Sequence, residues 1–258
     1  MFQQILTTIL NPTKRAIPVA GERVTLKAAQ NAAVANNWLD AGDAAGLRVI
    51  GSDTFILAGW IKWADNQDSA IISKGDMYNG EAGSYDLNLT GSSGTITFEV
   101  YNGVGVNSLD AADDIVSGIK SFFVAWVDAT TLNIRIDNGT PTSAVCERTN
   151  IADSGTNFVM FSTADGAGGL GTKCILDEVF FCKNPASMAA ALSLIETTIY
   201  NSGSGTHYEA LSAGNITTLG LVSWWGLDEA SAATRKDLNS TNDLTVHGTI
   251  TQVPPLTV

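Results

Sequence analysis

The sequence predicts an all-β protein, an antiparallel β-sandwich with one short peripheral helix and an amino-terminal arm. Three observations predict it. Several stretches alternate apolar and polar residues with a period of two, as strands with one solvated face do. Clusters of Gly, Ser, Asn and Asp separate those stretches where turns are needed. With 45% apolar and only 16% charged residues in 258, the chain can fill a full core, whereas a disordered chain has less apolar content and more charge.

Residues 1–20 read as the arm and residues 21–258 as one domain. Pro12 and Pro18 break the arm, and Ile5, Leu6 and Ile9 form an apolar turn suited to a partner. The β signal begins near Glu22. The run from Thr54 to Trp63 is almost continuously apolar, which fits a strand buried on both faces. Ser84–Thr90 and Thr95–Tyr101 alternate cleanly around the turn Gly91-Ser92-Ser93-Gly94, a hairpin. Phe122–Val127 and Leu132–Ile136 make a second hairpin, closed by Asp137-Asn138-Gly139-Thr140. Asn157–Phe161 and Lys173–Phe181 are further strands, separated by the Gly-rich loop 165–171.

One helix is predicted over Pro185–Tyr200, because Met188, Leu192, Ile195 and Ile199 recur at spacings of 4, 3 and 4. It reads as a lid on one edge of the sandwich. Trp224 and Trp225 then sit side by side on a strand, so one belongs to the core and the other to the outer or helix-covered face.

The formal net charge is −12. Residues 1–27 carry four basic residues, Lys14 and Arg15 among them, against one acidic residue. The remaining ten basic and 25 acidic residues leave −15. An acidic body repels phosphates, which argues against nucleic acid and anionic lipid as partners. A basic arm on an acidic body suits docking on a neighbouring subunit. No run of 18 apolar residues exists to span a membrane. Cys174 and Cys182 flank one strand, about 26 Å apart and beyond disulfide reach, so buried free thiols are expected.

Taken in order, several segments resemble the laminin-G-like branch of the concanavalin A-like lectin/glucanase jelly rolls. They are Phe55–Lys62, Ala70–Asp76, Phe123–Trp126 with Leu132–Gly139, Leu176–Phe181, and Ile199–Gly205. Leu221–Glu229 with Asp237–Leu244 resembles a segment that often opens such domains, whereas here it closes the chain. A single sandwich completed by these strands is expected. The resemblance also implies a calcium site at the sandwich rim, with Asp177, Asp228, Asp237, Asn239 and Asn242 as candidates. Several oxygen ligands from carboxylates and amides suit that hard cation.

Enzymatic chemistry is not expected. Asp177-Glu178 and Asp228-Glu229 are adjacent pairs, and neighbours on a regular strand point to opposite faces, so neither pair can flank one glycosidic bond. His207 and His247 read as surface residues without a partner nucleophile. For glycan binding the candidate platforms are Trp63, Tyr101 and Trp224. The first functional reading is a non-enzymatic structural or attachment protein on a virion surface, such as a bacteriophage head decoration or fibre. It would assemble through Ile5, Leu6, Ile9, Lys14 and Arg15. The alternative is a secreted or cell-surface carbohydrate-binding lectin.

Overall fold

The computed structural model describes residues 28–31, 37–63, 69–75, 85–101, 105–146, 155–162, 174–230 and 233–257. The amino-terminal arm and the Gly-rich loop 165–171 lie outside them. The described residues form two antiparallel sheets packed face to face. The first, sheet A, runs β10 (Thr142–Val145), β9 (Thr131–Ile136), β8 (Lys120–Val127), β3 (Phe55–Trp63), β12 (Cys174–Lys183), β1 (Ala28–Asn31) and β15 (Ile250–Val253), with β13 (Leu221–Trp225) also paired to β12. The second, sheet B, runs β14 (Thr245–His247), β2 (Trp38–Asp40), β11 (Phe158–Met160), β4 (Ser69–Lys74), β5 (Tyr85–Thr90), β6 (Thr95–Tyr101) and β7 (Val106–Asp110).

Period-two alternation fills the space between the sheets. Phe55, Leu57, Ile61 and Trp63 of β3 meet Tyr85, Leu87 and Leu89 of β5 and Ile96, Phe98 and Val100 of β6 in one core. Phe55 stacks on Phe181 at 5.7 Å between ring centroids and Tyr85 lies 5.0 Å from Phe55. Strand β3 is buried on both faces because its other side, Ile56, Ala58 and Trp60, faces a second core.

That second core lies between the outer face of sheet A and a helical layer. Helix α1 (Met188–Leu194) continues as a wider π-helical turn through Ile195–Tyr200 and ends on Asn201 in the left-handed region. Ile195 and Ile199 are buried, with Met188 and Leu192 packed beside them, as the spacing required. The cap is Ser187, whose hydroxyl accepts the Ala190 N–H, so the helix begins later than Pro185. The helix covers the face of sheet A, not an edge of the sandwich. A second helix, α2 (Ala213–Leu219), shares the layer; its short Gly/Thr/Asn-rich sequence has no helical apolar period to announce it.

The carboxyl-terminal strands complete both sheets: β13 and β15 join sheet A and β14 joins sheet B. Trp225 enters the inter-sheet core and stacks on Phe158 at 5.2 Å. Trp224 faces the helical layer and stacks on Phe180 at 4.5 Å. Cys146, Cys174 and Cys182 are all buried.

Candidate functional site

Strand β12 is where regular alternation fails. Asp177 pairs with Trp60 and Phe180 with Ala58, so Glu178 and Val179 together oppose the single residue Gly59. This is a β-bulge, and Glu178 adopts φ 47 within it. A side chain at position 59 would press on the bulge, since an added Cβ would lie 3.1 Å from the Val179 Cα. The bulge shifts parity by one. Leu176 and Val179, three apart, both enter the inter-sheet core, and Asp177 and Glu178 both point outward. The expectation that adjacent carboxylates face opposite ways therefore fails at this pair. The same point is where β12 exchanges one neighbour, β1, for another, β13.

The two carboxylates are buried against each other, at 1% and 3% exposure. An oxygen of Asp177 accepts the backbone N–H groups of Leu256 (2.7 Å) and Thr257 (3.2 Å). Glu178 meets His207 Nδ1 at 2.6 Å and accepts the Trp224 indole N–H. The Thr257 hydroxyl lies 3.3 Å from His207 Nε2. Burial pushes the Asp177 carboxyl up to about 7, and the adjacent Glu178 adds to the rise, against the two backbone N–H groups and the His207 charge that favour ionisation. Burial raises Glu178 as well, outweighing its bonds from His207 and Trp224. For His207 burial acts downward, but the hydrogen bond and charge of Glu178, with Asp177 and Glu209 behind it, leave its pKa raised. His207 is thus a half-buried partner of an acidic pair and not a free surface residue.

The other calcium candidates are placed separately. Asp237 organises its own loop: one oxygen accepts N–H groups of Trp224, Asn239 and Ser240, and the other accepts the Ser240 hydroxyl and the Asn242 N–H. Asn239 donates to the Leu221 and Val222 carbonyls, and Asn242 donates to Ser223 Oγ. The Asp228 carbonyl holds Gln252. Among the described residues no three His, Cys, Asp or Glu side chains converge on a metal position. A cation bound by Asp237 would have to displace these donors.

The aromatic candidates divide likewise. Trp63 and Trp224 are buried in the two cores, so neither offers a ring face to a ligand. Tyr101 is half-buried at the end of β6. The arm residues Ile5, Leu6, Ile9, Lys14 and Arg15 lie outside the described residues.

The sequence did not single out the outer face of sheet B. Cross-strand register places Asp40, Ser73, Asp86, Asn88, Thr97, Glu99, Ser108 and Asp110 on it. Asn88 donates to Glu99 Oε2 at 2.9 Å and Thr97 donates to Asp110 Oδ1 at 2.6 Å. At one edge Trp38 stacks on His247 at 4.5 Å, and His247 approaches Asp40 at 3.5 Å. The polar half of the alternation in β5 and β6 was the available signal, but only the pairing shows which residues become neighbours.

No family model matches the sequence, and the search of curated proteins gave no match. Solved structures do match. One is a Bacteroides ovatus protein provisionally named carbohydrate binding, at TM-score 0.55 and 12% identity, covering 90% of this chain and 60% of that one. Another is mouse laminin α1 chain domains LG4-5, at TM-score 0.50 and 13% identity, covering 67% of this chain and 46% of that one. The fold is the laminin-G-like, concanavalin A-like jelly roll. The chain spans less than two thirds of either structure, and at these identities the likeness concerns fold alone.

Proposed function

We propose that this jelly roll is a non-catalytic, extracellular carbohydrate-binding module that takes neutral glycans on the outer face of sheet B. The contrast between the two outer faces carries the reading. Sheet A turns aromatic residues outward and covers them with helices. Across β5, β6 and β7 sheet B presents Asn88, Thr97, Glu99, Ser108 and Asp110, two pairs of which cross-strand hydrogen bonds fix in advance, whereas Ser73 and Asp86 on the same face are buried. Sugar hydroxyls need rigid acceptors and donors of this kind, and charged acceptors bind them most strongly. The stacked Trp38–His247 pair supplies a ring at the margin for the apolar side of a pyranose. Protein interface cores are poor in charged residues, and this face is rich in them, so it suits a sugar better than a dry protein contact. A chain of net charge −12 selects against acidic glycans.

The fold likeness to the Bacteroides ovatus protein supports the lectin reading. The virion-surface reading draws no support from the structural neighbours and rests on the arm, which lies outside the described residues.

An array of neutral oligosaccharides tests the proposal. We expect binding that falls at least about tenfold in an Asn88→Ala/Glu99→Gln double variant, as loss of a charged hydrogen bond implies. A folded protein that binds no glycan, or a double variant that binds as tightly as the parent, would overturn it.

A further inference from the structure

The outer face of sheet A holds a short piece of the chain itself in a slot. After β15, Pro254 and Pro255 lead into Leu256 and Thr257. Both amides, the Leu256 carbonyl and both side chains of that dipeptide have counterparts. The Asp177 carboxylate accepts both backbone N–H groups. The Lys120 ammonium donates to the Leu256 carbonyl at 2.9 Å and to the Gly203 carbonyl at 2.9 Å, with the Trp60 ring 4.8 Å beneath it. The Leu256 side chain is buried in the second core. The Thr257 hydroxyl meets His207, and its methyl group fits only because residue 205 is Gly; an added Cβ there would lie 2.6 Å from it.

One group in the slot stays unmatched. The Trp60 indole N–H is buried at 1% exposure and has no hydrogen-bond partner among the described residues. Its nitrogen would lie 3.3 Å from that same added Cβ on Gly205, so it borders the corner that Thr257 also lines. A buried donor without an acceptor weakens the seated state. The segment is therefore a good but incomplete fit.

We propose that this slot is a peptide-binding site, filled here in cis by residues 254–257, for an extended segment of the form Pro-Pro-Leu followed by a short polar residue. Two backbone N–H groups on one carboxylate and a carbonyl on an ammonium read the peptide backbone. The Leu256 pocket and the Trp60–His207 corner read two successive side chains. Consecutive prolines make the incoming peptide stiff and lower the entropy lost on binding. An Asn in place of Thr257 would bring a side-chain carbonyl toward the Trp60 N–H and complete the match. The proposal concerns the opposite face of the molecule from the glycan reading and does not depend on it.

The cis segment competes at an effective concentration on the order of mM, so an external peptide meets a mostly occupied site. The test uses the full chain carrying Leu256→Asp, which places a carboxylate beside Asp177 and Glu178 and unseats the segment. A fluorescent peptide of residues 253–258 should bind this variant at least about tenfold more tightly than it binds the parent. The same peptide with Asn at the Thr257 position should bind more tightly still, and adding Lys120→Met should abolish binding. In the parent, excess peptide should lower the hydrogen-exchange protection of the Leu256 and Thr257 amides while that of β3 is unchanged. This last readout stands even where the variant misfolds. No peptide binding to a folded Leu256→Asp variant, or no change in those two amides in the parent at mM peptide, would overturn the proposal.

Discussion

Gly59 is the residue on which the acidic site turns. It has no side chain where β12 inserts an extra residue, and Val179 and Phe123 close around it at 3.0–3.2 Å from a notional Cβ. Gly59→Ala should push the bulge outward and cost about 1–3 kcal/mol, read as a lower midpoint in thermal unfolding. A variant as stable as the parent would show that β12 can shift without loss. The sequence did contain Gly59 and the Asp177-Glu178 pair. It did not contain their opposition, because pairing register is a relation between segments over a hundred residues apart. Without it, simple alternation assigned the two carboxylates to different faces.

Elements show the same division. The helix over Met188–Tyr200 was legible because four apolar residues mark one face. Helix α2 was not, because seven residues with one Gly and two Thr carry little periodicity; Ser212 at its start and Gly220 in the left-handed region at its end define it instead. The loop after β13 was legible as acidic and Asn-rich, but its chemistry was not. Asp237 gathers five hydrogen bonds that tie residues 239–242 to the Trp224 backbone. Asp237→Ala leaves buried N–H groups without an acceptor and should cost at least about 2 kcal/mol in denaturant unfolding. A loss under about 0.5 kcal/mol would mean that water replaces the carboxylate.

At the scale of the molecule, titration works in two directions. Burial acts to raise Asp43, but hydrogen bonds and charge from Arg48 and Lys74 hold it below its usual value. Asp53 is likewise held down, against burial, by Asn184 and Lys183. A depressed carboxyl stabilises the fold above its unfolded value near 3.8, and that contribution is lost as pH falls further. Asp177, Glu178 and His207 have raised values, so the folded state binds more protons than the unfolded one and stability declines as pH rises. For Asp177 the decline runs from its unfolded 3.8 to about 7; for His207 it runs upward from 6.5. The unfolding midpoint should therefore peak near about pH 4–5 and fall toward pH 9, below the usual optimum. A flat profile from pH 5 to 9 would count against the buried cluster.

The sequence by itself determined the sandwich, because alternation, turn chemistry and an apolar surplus are local properties that each segment carries alone. It also determined that Trp224 and Trp225 divide between two environments, since neighbours on a regular strand must. The tertiary structure alone decided which polar residues meet. A bulge opposite Gly59, the Leu256 and Thr257 amides reaching Asp177 and the cross-strand register of β5 and β6 are long-range geometry, and contact between distant segments is fixed only when the two layers close.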